Sequence, residues 1–274
     1  MTLLAVAVSG RGVVDPSEPV LPADDEALLR GRAAFETVRV YGGAPFKLAE
    51  HLERLVGSAE RIGLPEVNRL ELDELAREAL AAAAAPEAVL RLYWTPTPLA
   101  LALVSAIPDH HDELRERGQR LIALRGVRAD EPWLLPGVKS TSYAVNMAAE
   151  AEARRRGADD AVFVDAGGTV LEGPTTNIWW RRDRTLFTPS LDLGILAGVT
   201  RATVLELAAR SGYAVDEGHY GLAELLAADE AFTSSSVREV MPVSELDGVP
   251  VARGAAAAEL QADLRRAAGV TLGP

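Results

Sequence analysis

The apolar positions of the chain change period several times, and those changes divide it into elements. Leu3-Leu4-Ala5-Val6-Ala7-Val8 is an apolar run ended by Ser9-Gly10-Arg11-Gly12, which predicts a strand that turns back through Val13-Val14 as a hairpin. Residues 34–41 return as a strand before a Gly42-Gly43 turn. Over 47–62 the period lengthens: Leu48, Leu52, Leu55, Val56, Ala59 and Ile62 fall on one helical face, closed by Gly63. A second helix is expected over 70–85, stopped by Pro86, and strands over 89–95 and 99–107 around Pro96-Thr97-Pro98. Strands, two helices and strands again are the order of an α+β unit with its helices on one side of a sheet.

After this the pattern breaks. Residues 108–118 read as a charged loop, 121–126 as a strand, and 129–136 as a linker feeding Gly137-Val138-Lys139. A helix is predicted over 143–156, with arginines in its last turn and Gly157 as its stop. A hairpin then turns at Gly167-Gly168 between 161–165 and Val170-Leu171. Strands are expected over 177–180, 185–188 and 230–234, and helices over 200–210 and 255–268. No internal repeat is evident.

With 274 residues and 48% hydrophobic content, the chain can bury one large or two smaller cores. It has no cysteine, which excludes disulfides, thiolate metal sites and a cysteine nucleophile. Neither a basic leader followed by an apolar stretch nor a long uncharged span occurs, so a soluble, cytoplasmic protein without membrane contact is expected. The net charge of −12 argues against a nucleic-acid partner. It admits a small anionic ligand, because exposed charges are screened beyond about 8–10 Å. His110 and His111 are adjacent rather than a helical turn apart, so no metal motif forms. No phosphate-loop or dinucleotide glycine pattern is present.

Two runs carry candidate chemistry. In Gly137-Val138-Lys139-Ser140-Thr141-Ser142-Tyr143-Ala144-Val145-Asn146, a lysine follows a Pro-Gly breaker and precedes an alanine-rich helical pattern, so its amine is fixed at an element boundary. Partly desolvated or beside a cation, such an amine can form an imine with an aldehyde. The ordinary role of a lone lysine is a solvated surface charge. The second run is Leu171-Glu172-Gly173-Pro174-Thr175-Thr176-Asn177, where Glu172 alone reads first as a turn carboxylate beside Gly173-Pro174.

In order and separation these runs resemble the fold-type IV pyridoxal-phosphate enzymes, the class IV aminotransferase group of branched-chain and D-amino-acid aminotransferases and aminodeoxychorismate lyases. Phe35-Glu36-Thr37-Val38-Arg39-Val40-Tyr41 with His51-Leu52-Glu53-Arg54-Leu55 is similar to the group's N-terminal signature. Gly198-Val199-Thr200-Arg201 is similar to its Gly-Ile-Thr-Arg turn, and Asp229-Glu230-Ala231-Phe232-Thr233-Ser234-Ser235-Ser236 to its phosphate-side strand. The resemblance implies an α+β, two-domain fold of the D-amino-acid aminotransferase type. Its small N-terminal α/β domain is expected at 1–118, a strand and linker at 119–136, and the larger, β-rich, cofactor-binding domain at 137–274.

The resemblance also implies roles. Lys139 is the Schiff-base lysine for pyridoxal 5'-phosphate and the acid-base group, and Glu172 the partner of the ring nitrogen. Tyr143, brought near Lys139 by a helical turn, meets the ring's phenolic oxygen, Leu196 covers a ring face, and Asn177 supports by hydrogen bonding. For the phosphate it implies Arg54, the N–H groups of Val199 and Thr200 at a helix start, and Ser235 and Ser236. Read alone, Arg54 is an arginine on an amphipathic helix, Thr200 an N-cap and the serines a turn. Arg39 and Arg91 are candidate carboxylate clamps for a small anionic amine or amino-acid substrate, or surface charges on a sheet. A homodimer is implied as well.

Lys139 to Asn146, Leu171 to Pro174, and Asp24-Asp25 with Arg30-Gly31 look most like aminodeoxychorismate lyase-type sequences, which form 4-aminobenzoate and pyruvate from 4-amino-4-deoxychorismate. The alternatives are a class IV aminotransferase acting on branched-chain or D-amino acids with 2-oxoglutarate, and a non-catalytic cofactor-binding relative. Two places depart from the pattern: Gly31-Arg32-Ala33-Ala34 replaces a Gly-Asp-Gly run, and Pro96-Thr97-Pro98 an Arg-Gly turn found in many lyases and D-aminotransferases.

Overall fold

Alternating apolar residues and short turns build the first part of the chain into one antiparallel sheet. The computed structural model describes residues 2–126 and 134–270. They gather into two compact units: the first runs to Pro108 and adds Val138–Tyr143 and Ala268–Val270, and the second takes the described residues of Asp109–Gly137 and Ala144–Ala267. The short segment that bears Lys139 thus belongs with the first unit.

In the first unit the elements are β1 (Leu3–Val8), β2 (Gly12–Val14), α1 (Glu26–Arg30), β3 (Ala34–Tyr41), β4 (Ala44–Pro45), α2 (Leu48–Arg61), α3 (Arg69–Ala83), β5 (Ala88–Trp94) and β6 (Ala100–Ser105). The strand order is β2-β1-β6-β5-β3-β4, with every neighbouring pair antiparallel. One face of the sheet presents Ala34, Val38, Val40, Leu90, Leu92, Ala102 and Val104 to Leu52, Leu55 and Ala59 of α2 and Leu72, Leu75 and Ala76 of α3. Both helices therefore lie on that face, as the element order predicts. Strand residues two apart share a face, so Glu36 falls into this apolar row between Ala34 and Val38.

The second unit contains α4 (His110–Arg117), β7 (Gln119–Arg125), α5 (Ala144–Arg155), β8 (Asp160–Val164), β9 (Asn177–Arg182), β10 (Thr185–Pro189), α6 (Val199–Arg210), β11 (Ala214–Gly218), α7 (Leu222–Leu226), β12 (Glu230–Ser235), β13 (Glu239–Leu246), β14 (Val249–Pro250) and α8 (Ala256–Ala267). The order β11-β10-β9-β12-β13-β7-β8, with β14 beside β13, mixes parallel pairs at both ends with antiparallel pairs in the middle. Val162, Val164, Ile178, Trp180, Ala231 and Val243 form its core with Leu222 and Leu225 of α7.

Several expectations are corrected. Residues 108–118 hold the helix α4 rather than a loop. Its acidic residues lie in the first turn and its arginines in the last, ion pairs join Arg115 to Asp112 and Arg117 to Glu113, and His111 and Leu114 are buried. The pattern also passed over β11, a strand with exposed charges, α7, which is one turn long, and β13, whose alternation is interrupted by Pro242. Of the expected linker, residues 129–133 lie outside the described residues. Among the described residues no helix is long and apolar enough to cross a membrane.

Candidate active site

Lys139 lies at the start of β3 on a short extended segment rather than in a helix. Ala34 and Ser140 form an antiparallel bridge, the Phe35 N–H donates to the Lys139 carbonyl at 3.2 Å, and the Thr141 N–H to the Ala33 carbonyl at 2.9 Å. The Lys139 N–H donates to Ser58 Oγ of α2 at 3.2 Å. Gly31, at φ 64°, caps α1 so close to this segment that an added Cβ would lie 3.1 Å from the Ser142 backbone. A glycine thus permits the approach.

These contacts aim the lysine. Its Nζ lies 4.3 Å from the Phe35 ring centroid and 5.8 Å from that of Tyr143, while the two rings meet edge to face at 5.3 Å. Tyr143 is therefore near Lys139, as expected, but for a different reason: α5 begins only at Ala144, and an extended segment with a tight Thr141–Tyr143 turn brings the ring across.

Beneath this segment is a buried ion cluster. Glu36, fully buried, accepts from Arg54 Nε and Nη2, each at 2.7 Å, and lies 2.7 Å from His51 Nδ1. Burial raises the Glu36 carboxyl, but the Arg54 guanidinium and the hydrogen bonds from Arg54 and His51 outweigh it and hold the group at about 2. Burial pushes His51 below its usual range, against the pull of Glu36, and the charges of Arg54 and Lys139 push the same way. Arg54 is thus half of a bidentate buried pair, not a surface arginine.

On the opposite face of the sheet Phe35 faces Tyr93, with ring centroids 5.8 Å apart, and Thr37 faces Arg91. Arg39 follows Thr37 on that face by another two-residue step. Arg91 Nη1 donates to Ser105 Oγ at 3.1 Å, and Arg39 pairs with Glu87 at 2.8 Å and lies 5.1 Å from the Tyr41 ring. Pro96-Thr97-Pro98 is tied down by hydrogen bonds from Thr97 to the buried Asp25 and between Thr95 and Thr97.

In the second unit, Glu172 is 4% exposed and accepts the Leu196 N–H at 3.0 Å. Asn177 Nδ2 donates to the Leu196 carbonyl at 3.0 Å and lies 3.5 Å from Glu172 Oε2, so the amide ties both residues together. The tight turn from Gly173 to Thr176 and the Asn146 amide on the Pro174 carbonyl fix the run after Glu172. Gly198, not Thr200, is the N-cap of α6, and it provides no side chain to its first N–H groups, those of Val199 and Thr200. A Cβ at Gly198 would lie 2.2 Å from Asn177 Oδ1. Ser235 and Ser236, both half-buried, close β12 beside Ser234, whose hydroxyl accepts from Trp179 Nε1 at 2.9 Å.

Each unit therefore joins residues that the sequence singled out: Lys139, Tyr143 and Arg54 in the first, Glu172, Asn177 and Leu196 in the second. Unanticipated participants are Glu36, His51 and Ser58. Their signal was present, since 51, 54 or 55, and 58 recur on one helix face, and Glu36 interrupts an apolar strand row.

Each unit offers groups that suit pyridoxal phosphate: the first an amine against aromatic faces, the second a buried carboxylate that accepts a backbone N–H and a helix start kept bare by a glycine that any Cβ would fill. The family profile described as amino-transferase class IV matches residues 33–246. The chain is 34% identical to the bifunctional aminodeoxychorismate lyase / D-amino acid transaminase of Mycobacterium tuberculosis, over 89% of this chain and 92% of that one. It is 31% identical to the aminodeoxychorismate lyase of Bacillus subtilis, over 89% and 87%. A solved hypothetical aminotransferase from Mycobacterium tuberculosis, in its PLP-bound form, superposes with a TM-score of 0.89 at 33% identity, over 96% of this chain and 98% of that one. The chain belongs to the class IV aminotransferase family, with its fold-type IV architecture, and is a pyridoxal-phosphate-dependent transaminase or lyase.

Proposed function

We propose that the protein is an aminodeoxychorismate lyase, which splits 4-amino-4-deoxychorismate into 4-aminobenzoate and pyruvate, a step of folate biosynthesis in the cytoplasm, and that it acts as a homodimer. The observation that carries the reading is the Lys139 amine, seated over Phe35 on the sheet face that also bears Arg91. Pyridoxal phosphate supplies an aldehyde carbon that binds amines and a ring that, protonated at nitrogen, stabilises negative charge on the neighbouring carbon.

The chain's residues do the rest. Lys139 would hold the cofactor through its amine, and the free amine would take the proton from the substrate carbon that bears nitrogen. Glu172, oriented by the Leu196 N–H and Asn177, holds the proton on the ring nitrogen. Tyr143 and Leu196 would flank the ring, and Arg54, fixed by Glu36, the Val199 and Thr200 N–H groups, Ser235 and Ser236 would bind the phosphate. Arg91 lies one two-residue step, about 7 Å, from the Phe35–Tyr93 row, within reach of a substrate carboxylate. Arg39 lies a step farther from that row, and this distance favours Arg91 as the clamp. Loss of the proton and breakage of the ether bond to the enolpyruvyl group leave an aromatic ring, and the expelled enolate takes a proton at its methylene carbon to become pyruvate.

The bifunctional name of the Mycobacterium tuberculosis relative supports a second reading, transamination of D-amino acids. Product identity separates the two. The purified protein with pyridoxal phosphate is incubated with 4-amino-4-deoxychorismate and, separately, with D-alanine or a branched-chain amino acid plus 2-oxoglutarate. Equimolar 4-aminobenzoate and pyruvate are expected in the first incubation; glutamate in the second without 4-aminobenzoate in the first would replace the lyase by a transaminase. No product in any incubation would leave a cofactor binder.

A further inference from the structure

Ser235 and Glu239 are the last cross-strand pair of β12 and β13, so only Ser236, Val237 and Arg238 form the turn between them. A left-handed residue where a tight hairpin turn enters its second strand is a place suited to glycine or asparagine. Here it is Glu239, at φ 58°. The other described non-glycine residues with positive φ, Lys47, Ala84, Leu135, Asp183 and Asp247, are all at least partly exposed, whereas Glu239 is fully buried.

A buried carboxylate on a disfavoured backbone is unfavourable twice over and persists only where its surroundings hold it. They do so here from two helices. Gln261 Nε2 and Arg265 Nη2 of α8 donate to Glu239 Oε2 at 2.6 and 2.9 Å, and Arg115 Nη2 of α4 donates to it at 3.1 Å. The same Arg115 atom donates to the Arg238 carbonyl at 3.0 Å, and Gln261 Oε1 accepts the Val240 N–H at 2.8 Å. On the other shoulder the Arg238 guanidinium pairs with the buried Asp160 of β8, and the Arg238 N–H donates to Ser235 Oγ at 3.3 Å. The turn after Ser235 is thus gripped on both sides by charges that have no part in the chemistry above.

We propose that Glu239 is a positioning residue for the cofactor phosphate: with Arg115, Gln261 and Arg265 it locks the Ser235–Arg238 turn, so that Ser235 and Ser236 meet the phosphate in one prepared arrangement. The inference rests on the role given to those serines in the proposed function. A loose turn would have to be ordered on binding, and the phosphate contact would weaken by that amount.

Pyridoxal has the aldehyde and the ring but no phosphate, so the ratio of its Kd to that of pyridoxal phosphate reads the phosphate contact by itself. Both are measured by absorbance titration of the full-length protein freed of cofactor. In Glu239→Gln the ratio is expected to fall about tenfold, through weaker pyridoxal phosphate binding with pyridoxal little changed. Arg265→Met, which thins the cluster but keeps Glu239, should lower the ratio in the same direction, and it decides the matter where Glu239→Gln does not fold. Glu239→Gly gives the backbone its preferred residue but no anchor, and should lower the ratio too. A ratio unchanged in the folded variants, with the two constants shifted equally or not at all, would overturn the proposal, as would a wild-type ratio in Glu239→Gly. Failure of the wild-type protein to be trapped by borohydride at Lys139 with pyridoxal phosphate would instead bring down the functional reading, and this inference with it.

Discussion

The two units hold the residues of the candidate site by different means. In the first, a carboxylate, a guanidinium and an imidazole, all buried or nearly so, fix one another beneath the lysine segment. In the second, Glu172 is held by a backbone N–H and an amide, and the start of α6 is kept open by a glycine. The first arrangement ties local stability to charge and therefore to pH. The second ties the site to close approach, where a single methyl group matters.

The largest effect is expected at Lys139, whose amine no neighbour can replace. Lys139→Ala should lower turnover by about 10³–10⁴-fold or more and abolish borohydride trapping of the cofactor, which a product assay and a mass measurement of the trapped protein both read. The same substitution in each unit then sharpens the contrast. Glu36→Gln leaves the Arg54 guanidinium without its carboxylate and should cost on the order of 3–5 kcal/mol in urea unfolding. Glu172→Gln, which keeps an acceptor for the Leu196 N–H, should cost only about 1 kcal/mol of stability but about 10²-fold in turnover. Equal stability losses in the two variants would erase the distinction.

Acid should act on the first unit through Glu36 and His51. Glu36 is held at about 2, against 4.5 for an ordinary glutamate, so its contribution is complete above pH 4.5 and is lost as pH falls toward 2, where the unfolded chain binds a proton that the folded one refuses. The shift corresponds to on the order of 3 kcal/mol. His51, held below its ordinary 6.5, acts with the same sign and begins earlier, as pH falls through 6.5. Urea midpoints between pH 7 and 3 should therefore fall with pH, and less steeply in Glu36→Gln. The smallest effect is expected for Gly198→Ala: the new Cβ meets Asn177 Oδ1 and should weaken pyridoxal phosphate about tenfold with little change in the acid profile, as a spectroscopic titration would read.

Much of the first unit was legible in the sequence because its signals are local. The alternation in β3, β5 and β6 and the helical period of α2 and α3 each lie within one run, and their order alone puts both helices on one face. The two motif runs likewise single out Lys139 and Glu172. The pattern failed where charges hid structure: α4 is a helix held by ion pairs rather than by an apolar stripe, and β13 contains a proline. It also gave Tyr143 a helical turn that does not exist, since the chain there is extended along β3.

The sequence by itself determined the elements, their order and the residue types available for chemistry, because periodicity and turn residues act over a few positions. Only the tertiary structure decided which charges are buried and what they meet: Glu36 with Arg54 and His51, Glu172 with Leu196 and Asn177, Glu239 with Arg115 and Arg265. A carboxylate on a strand reads the same in sequence whether it faces water or a guanidinium. The cost of burying it is repaid by a partner many residues away, so its role becomes fixed when the chain has brought the two together.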